Sequence, residues 1–144
     1  MSEVSILIAE DDADDRFLMQ TALKETRAGE KIQFVENGIE LLSFLNDLPE
    51  VDGETKFPRF ILLDLNMPKM DGREALKKIK SSNTLRKIPV IVFSTTKSDV
   101  EVKRCYELGA NTYVVKPVSF DSLVNTIGDI CDYWFQTATL PGVN

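Results

Sequence analysis

The chain has 144 residues, 43% hydrophobic and 28% charged, a balance that fits one globular domain with a core of its own. A net charge of -6 weighs against a nucleic-acid surface, and the complete absence of histidine disfavours zinc fingers and Ser/His or Cys/His catalysis. Cys105 and Cys131 form no CxxC pair and read as reduced thiols of a cytoplasmic protein, since Met1-Ser2-Glu3 lacks a signal-peptide pattern and no apolar run could cross a membrane.

Taken in chain order, short apolar runs alternate with helix-patterned stretches. Val4 to Ala9 predicts a first strand, ending in Glu10-Asp11-Asp12. Asp12 is placed to cap the following helix, with Asp14 and Asp15 at its positive end; Phe17, Ala22 and Leu23 mark the inner side and Met19 its flank. Ile32 to Val35 predicts the second strand, and Asn37-Gly38 a turn into a helix striped by Leu41, Leu42 and Leu45. Pro49 to Pro58 reads as a long loop. Phe60 to Leu63 predicts the third strand, Asp71-Gly72 the next turn, and Ala75, Leu76 and Ile79 the third helix. Val90 to Phe93 is the fourth strand; Val100, Val102 and Leu108 mark the fourth helix more weakly, before a stop at Gly109. Thr112 to Val115 is the fifth strand, and Leu123, Ile127, Ile130 and Trp134 give the clearest stripe, in the last helix.

Strands rich in β-branched residues with little polar alternation are covered on both faces. Five strand–helix units therefore predict an α/β fold: a doubly wound, five-stranded parallel sheet with helices on both faces. One domain is expected over 1–144, its core at about 5–135 and a short tail at 136–144, with no appended output domain.

In such folds ligands bind beyond the carboxyl ends of the strands. Those ends carry Glu10-Asp11-Asp12, Asp64, Ser94-Thr95 and Lys116-Pro117. Crowded acids repel unless a cation intervenes, and a hard divalent ion such as magnesium needs only one or two carboxylates with other oxygens. Lys116 and Ser94 could then hold a further anion. The set makes chemical sense if Asp64 is a nucleophile that becomes an acyl phosphate.

The strings Ile6-Leu-Ile-Ala-Glu-Asp-Asp12, Leu62-Leu-Asp-Leu-Asn-Met-Pro-Lys-Met-Asp-Gly72, Val92-Phe-Ser-Thr95 and Gly109-Ala-Asn-Thr-Tyr-Val-Val-Lys-Pro117 resemble the bacterial response-regulator receiver family. The resemblance runs from about Ser5 to Phe135, with every block in order. It implies a flavodoxin-like receiver fold and a cytoplasmic two-component switch, not an enzyme acting on other molecules. Asp64 would be the phosphoacceptor, taking its phosphoryl group from a sensor histidine kinase or a histidine phosphotransfer protein. Mg2+ would be held by Asp11 and Asp64 directly, by Glu10 through water, and by the backbone carbonyl of Asn66. Ser94, a serine where many relatives have threonine, and Tyr113 would be the switch pair, and the Lys116–Pro117 bond is expected cis. The Pro49–Pro58 loop and the ending Trp134-Phe135 to Thr139-Leu140-Pro141 are similar to single-domain regulators of the cyanobacterial phytochrome type.

Rival readings fare worse. A haloacid-dehalogenase-like phosphotransferase wants an aspartate where Asn66 stands, and a flavin carrier wants a glycine- and hydroxyl-rich loop after the first strand. A pseudo-receiver that binds protein partners without turning over phosphate would not need the intact acid, Ser94 and Lys116 set. Tyr133, Trp134 and Phe135 offer aromatic area that could serve a homodimer.

Overall fold

The computed structural model describes residues 3–27 and 29–141, so the last three positions of the expected tail, 142–144, lie outside the described residues. The elements are β1 (Ile6–Ala9), α1 (Ala13–Thr26), β2 (Ile32–Val35), α2 (Gly38–Asn46), β3 (Glu50–Val51), β4 (Glu54–Thr55), β5 (Phe60–Leu63), α3 (Gly72–Ser81), β6 (Val90–Ser94), α4 (Asp99–Glu107), β7 (Thr112–Val115) and α5 (Phe120–Asp132). A π-helical turn, Tyr133–Thr137, follows α5. No helix among the described residues is long and apolar enough to cross a membrane.

The main sheet is parallel throughout, in the order β2-β1-β5-β6-β7. Side chains alternate across it, as strand geometry requires. Leu7, Ala9, Ile61, Leu63, Val90 and Val92 face α2, α3 and α4. Ile6, Ile8, Phe60, Leu62, Ile91 and Phe93 face α1 and α5. The chain leaves β1 toward β2 on one side, then returns across to β5. The crevice between the β1 and β5 ends is therefore the switch point where such sheets bind ligands.

Helix starts follow their caps. The side chains of Asp12, Asn37, Asp71 and Ser119 accept from the N–H groups of Asp15, Glu40, Glu74 and Ser122. At Asp71-Gly72 the glycine is needed for space: its N–H donates to the Leu65 carbonyl at 2.9 Å, and an added Cβ would strike the Asp64 carbonyl. The turn thus fastens the start of α3 to the loop behind Asp64.

Four expectations need correction. Phe17 is 67% exposed; the inner stripe of α1 is Met19, Ala22 and Leu23, and Phe17 lies about 140° around the helix from Ala22. In α4 the buried residue is Cys105, whereas Val100 is 75% exposed. The Pro49–Pro58 loop contains the antiparallel β3–β4 hairpin, closed by Asp52-Gly53 with φ of 55° and 80°, a pairing that suits a two-residue turn. Last, no peptide bond among the described residues is cis, so Lys116–Pro117 is trans. Trans is the form an Xaa-Pro bond favours by about 0.5–1 kcal/mol, and Lys116 reaches its acidic partners with it.

The aromatic ending is mostly used inside the chain. Arg59 donates to the carbonyls of Trp134 and Phe135 at 2.8 and 3.2 Å, and the Arg27 and Arg59 guanidiniums flank the Phe135 ring. Trp134 and Phe135 pack on the α1–α5 core, leaving Tyr133 as the exposed one of the three.

Candidate functional site

Each side chain at the switch point is delivered by a strand end. Glu10 directly follows β1, Asp64 follows β5, Ser94 closes β6 and Lys116 follows β7. Backbone bonds extend the sheet into the site: Asp64 N–H donates to Ala9 O at 3.0 Å, and Lys116 N–H to Ser94 O at 2.9 Å. Glu10, Asp64 and Ser94 are buried; Asp11 and Asn66 are exposed.

Carboxylate oxygens of Glu10, Asp11 and Asp64 lie within 4.8 Å of one another. Lys116 faces the same group, paired with Glu10 and standing 3.7 Å from Asp64 Oδ1. Burial pushes the Glu10 carboxyl up to about 7; Lys116 pulls it back, and the neighbouring Asp64 adds to the rise. Asp64 is also raised, by burial first, against the pull of Lys116. Burial by itself would lower Lys116, but its carboxylate partners, Glu10 foremost, hold its pKa above the ordinary lysine range.

Two carboxyls pressed toward neutrality beside a third, with no nitrogen or sulfur ligand, form a donor set for a hard divalent cation. A cation there would relieve both the burial cost and the repulsion. The oxygen-only chemistry of these residues fits magnesium or a similar ion.

Ser94 and Tyr113 are brought together through one residue. Thr96 N–H donates to Ser94 Oγ at 3.3 Å, and the Tyr113 hydroxyl donates to Thr96 O at 2.9 Å. Thr96 was not singled out in the sequence, and its type carries no signal because only its backbone takes part.

Two further residues escaped sequence reasoning. Arg16 Nη1 donates to the carbonyls of Glu10 and Asp11, at 3.0 and 2.8 Å, bracing the acidic loop from α1. Asp15, expected only as a charge at the positive end of the helix, places Oδ2 3.5 Å from Lys116 Nζ. Its place in the first turn of a helix springing from the acidic strand end was the available signal.

A parallel sheet in this order, with acids at the β1 and β5 ends and a lysine after the last strand, defines the receiver class of signalling domain. The chain belongs to the response regulator receiver domain family, whose pattern matches residues 6–128. It is 38% identical to the probable methanogenesis regulatory protein FilR2 of Methanothrix harundinacea, over 95% of this chain and 87% of that protein. It is 36% identical to the response regulator Rcp1 of Synechocystis sp., over 94% of this chain and 92% of Rcp1. The Mn(2+)-bound form of Rcp1 superposes with a TM-score of 0.82, covering 95% and 98% of the two chains. The phosphorylated cyanobacterial phytochrome response regulator RcpA gives a TM-score of 0.86 at 36% identity, covering 98% of this chain and all of RcpA. The chain is thus the receiver domain of a two-component response regulator, similar to the cyanobacterial phytochrome regulators.

Proposed function

We propose that this receiver accepts a phosphoryl group on Asp64 from the phosphohistidine of a sensor kinase or a phosphotransfer protein. An Asp64 carboxylate oxygen attacks phosphorus, the P–N bond breaks as the P–O bond forms, and the imidazole leaves with the electron pair. Asp64 is the nucleophile in this reading: it stands buried at a strand end with the Lys116 ammonium 3.7 Å away, whereas Glu10 is already hydrogen-bonded to that ammonium. Lys116 neutralises a phosphoryl oxygen, and the Ser94 hydroxyl donates to another.

Glu10, Asp11 and Asp64, with the backbone carbonyl of Asn66, would hold Mg2+, which supplies positive charge to the phosphoryl oxygens in the transition state. That the related Rcp1 has a Mn(2+)-bound form supports a divalent site here. RcpA is a relative in phosphorylated form, which supports the acceptor role.

The output is a conformational switch. When Ser94 turns toward the phosphoryl group it gives up the Thr96 N–H, and Thr96 is also the residue whose carbonyl holds Tyr113. Ser94, Thr96 and Tyr113 therefore shift together, and the α4–β7 surface changes with them.

The observation that carries this reading is the convergence of three carboxylates and one ammonium at a buried strand edge. Intact-mass measurement after incubation with acetyl phosphate and magnesium tests it. One phosphoryl group should add to the wild type and none to Asp64→Asn. Equal modification of both proteins would overturn the assignment.

A further inference from the structure

Lys116 is surrounded by more acid than the proposed transfer needs. Its ammonium meets Glu10 on the inner side, Asp64 Oδ1 at 3.7 Å and Asp15 Oδ2 at 3.5 Å. Glu10 and Asp64 belong to the carboxylate cluster; Asp15 does not. It comes from α1 and lies on the outer, solvent side: its side chain is 44% exposed, against 11% for Lys116.

The position of Asp15 is not accidental to a mobile side chain. Asp12 caps α1 by accepting the Asp15 N–H at 3.0 Å, which fixes the Asp15 backbone in the first turn. The adjacent Arg16 ties the same turn to the carbonyls of Glu10 and Asp11. Asp15 and Lys116 also share the wall of a cleft of about 130 Å³ with Leu18, Phe93, Pro117 and Val118. The first turn of α1 therefore holds a carboxylate at a set place opposite the end of β7.

We propose that Asp15 is a positioning residue for Lys116, whose carboxylate draws the ammonium outward and so slows phosphoryl transfer to Asp64. The proposal rests on the phosphoacceptor reading above. Lys116 must meet an oxygen of the incoming group, and every contact it keeps with Asp15 competes with that. A half-exposed pair of this kind is modest in strength, so its removal should change a rate by about two- to fivefold and no more.

The test measures the rate of Asp64 phosphorylation against acetyl phosphate concentration, in saturating magnesium, for wild type, Asp15→Asn, Asp15→Glu and Asp14→Asn. Asp14 is exposed in the same turn and, among the described residues, has no ion pair with Lys116, so its variant removes the same charge without the contact. Asp15→Asn should raise the maximal rate about two- to fivefold with little change in half-saturation, Asp15→Glu should sit near wild type, and Asp14→Asn should match wild type. In a Lys116→Met background Asp15→Asn should have no effect. An unchanged rate in Asp15→Asn, an equal gain in Asp14→Asn, or the same gain without Lys116 would each overturn the proposal. The 15N signal of the Lys116 ammonium in the protein without phosphodonor gives a separate readout: it should move in Asp15→Asn and stay in Asp14→Asn. Should wild type take up no phosphoryl group at all, the acceptor reading falls. In that case an unmoved ammonium signal in Asp15→Asn overturns the Asp15–Lys116 contact as well, and a moved one keeps it.

Discussion

Helices α4 and α5 cover opposite faces of the same edge strand, β7, and are held there in different ways. α5 buries Leu123, Ile127, Ile130 and Cys131, is capped by Ser119, and is followed by a turn that Arg59 fastens to the approach to β5. α4 buries Cys105 alone and has no side-chain bond from its N-cap, Ser98. Its chief polar tie is the 2.6 Å pair between Glu101 and Arg73 of α3. The α1–α5 face thus supplies rigidity, while the α4 face is cheap to displace. The proposed switch residues lie on the cheap side: Tyr113 packs with the α4-face cluster, and its Thr96 partner lies just before α4. Bistability belongs where little apolar area must be torn apart to change state.

The largest contrast should appear in stability. Ile127→Ala empties a fully buried position in α5 and should cost about 2–5 kcal/mol in chemical denaturation, whereas Val100→Ala in α4 should stay within about 0.5 kcal/mol. Comparable losses would show that α4 is anchored as firmly as α5.

Magnesium should separate the helices by a different route. At one hundred times its dissociation constant it should stabilise the fold by about 2.7 kcal/mol, an effect lost in Asp11→Ala. Native-state hydrogen exchange should show the full gain at α5 amides, which open only with the whole domain. Amides of α4 should show little of it, since local opening there leaves Glu10, Asp11 and Asp64 together. A uniform gain along both helices would mean that α4 has no opening of its own.

The two cysteines offer a direct probe. Cys105 and Cys131 are 0% and 1% exposed, so static burial predicts equal protection from a thiol reagent. Burial also pushes both thiols up, Cys131 to about 12. With access governed by opening, Cys105 should react about tenfold faster, equivalent to about 1.4 kcal/mol of easier opening. Equal rates, read by mass spectrometry of the labelled peptides, would erase the distinction.

The smallest effect should come from Glu101→Gln. The Glu101 hydrogen bond raises the Arg73 pKa, outweighing the opposing effect of burial. Loss of so partly exposed a pair should cost about 0.5–1 kcal/mol, with faster hydrogen exchange confined to α4 and the start of α3. Faster exchange spreading into α5 would place the tie in the global fold instead.

Much of this could be read from residues alone, because it depends on local chemistry. Four of the five sheet strands keep their expected ends to within a residue, and β1 its far end, because short β-branched runs admit few alternatives once both faces are covered. The cap at Asp12 and the turns at Asn37-Gly38 and Asp71-Gly72 could be read because they depend on residues within one turn, where Asn37 and Asp71 also prove to cap their helices. Glu10, Asp11, Asp64, Ser94 and Lys116 could be gathered because strand ends of a parallel sheet share one edge. Tertiary structure decided what depends on partners distant in sequence. The rotation of α1 that exposes Phe17 and buries Met19 is set by packing on α5, and the weak stripe of α4 by the burial of Cys105 alone among its residues. The contact of Asp15 with Lys116 crosses 101 positions of chain, and no periodicity near either residue encodes it. Local hydrogen bonding and side-chain alternation are written into neighbours, whereas the meeting of two surfaces exists only after both have formed.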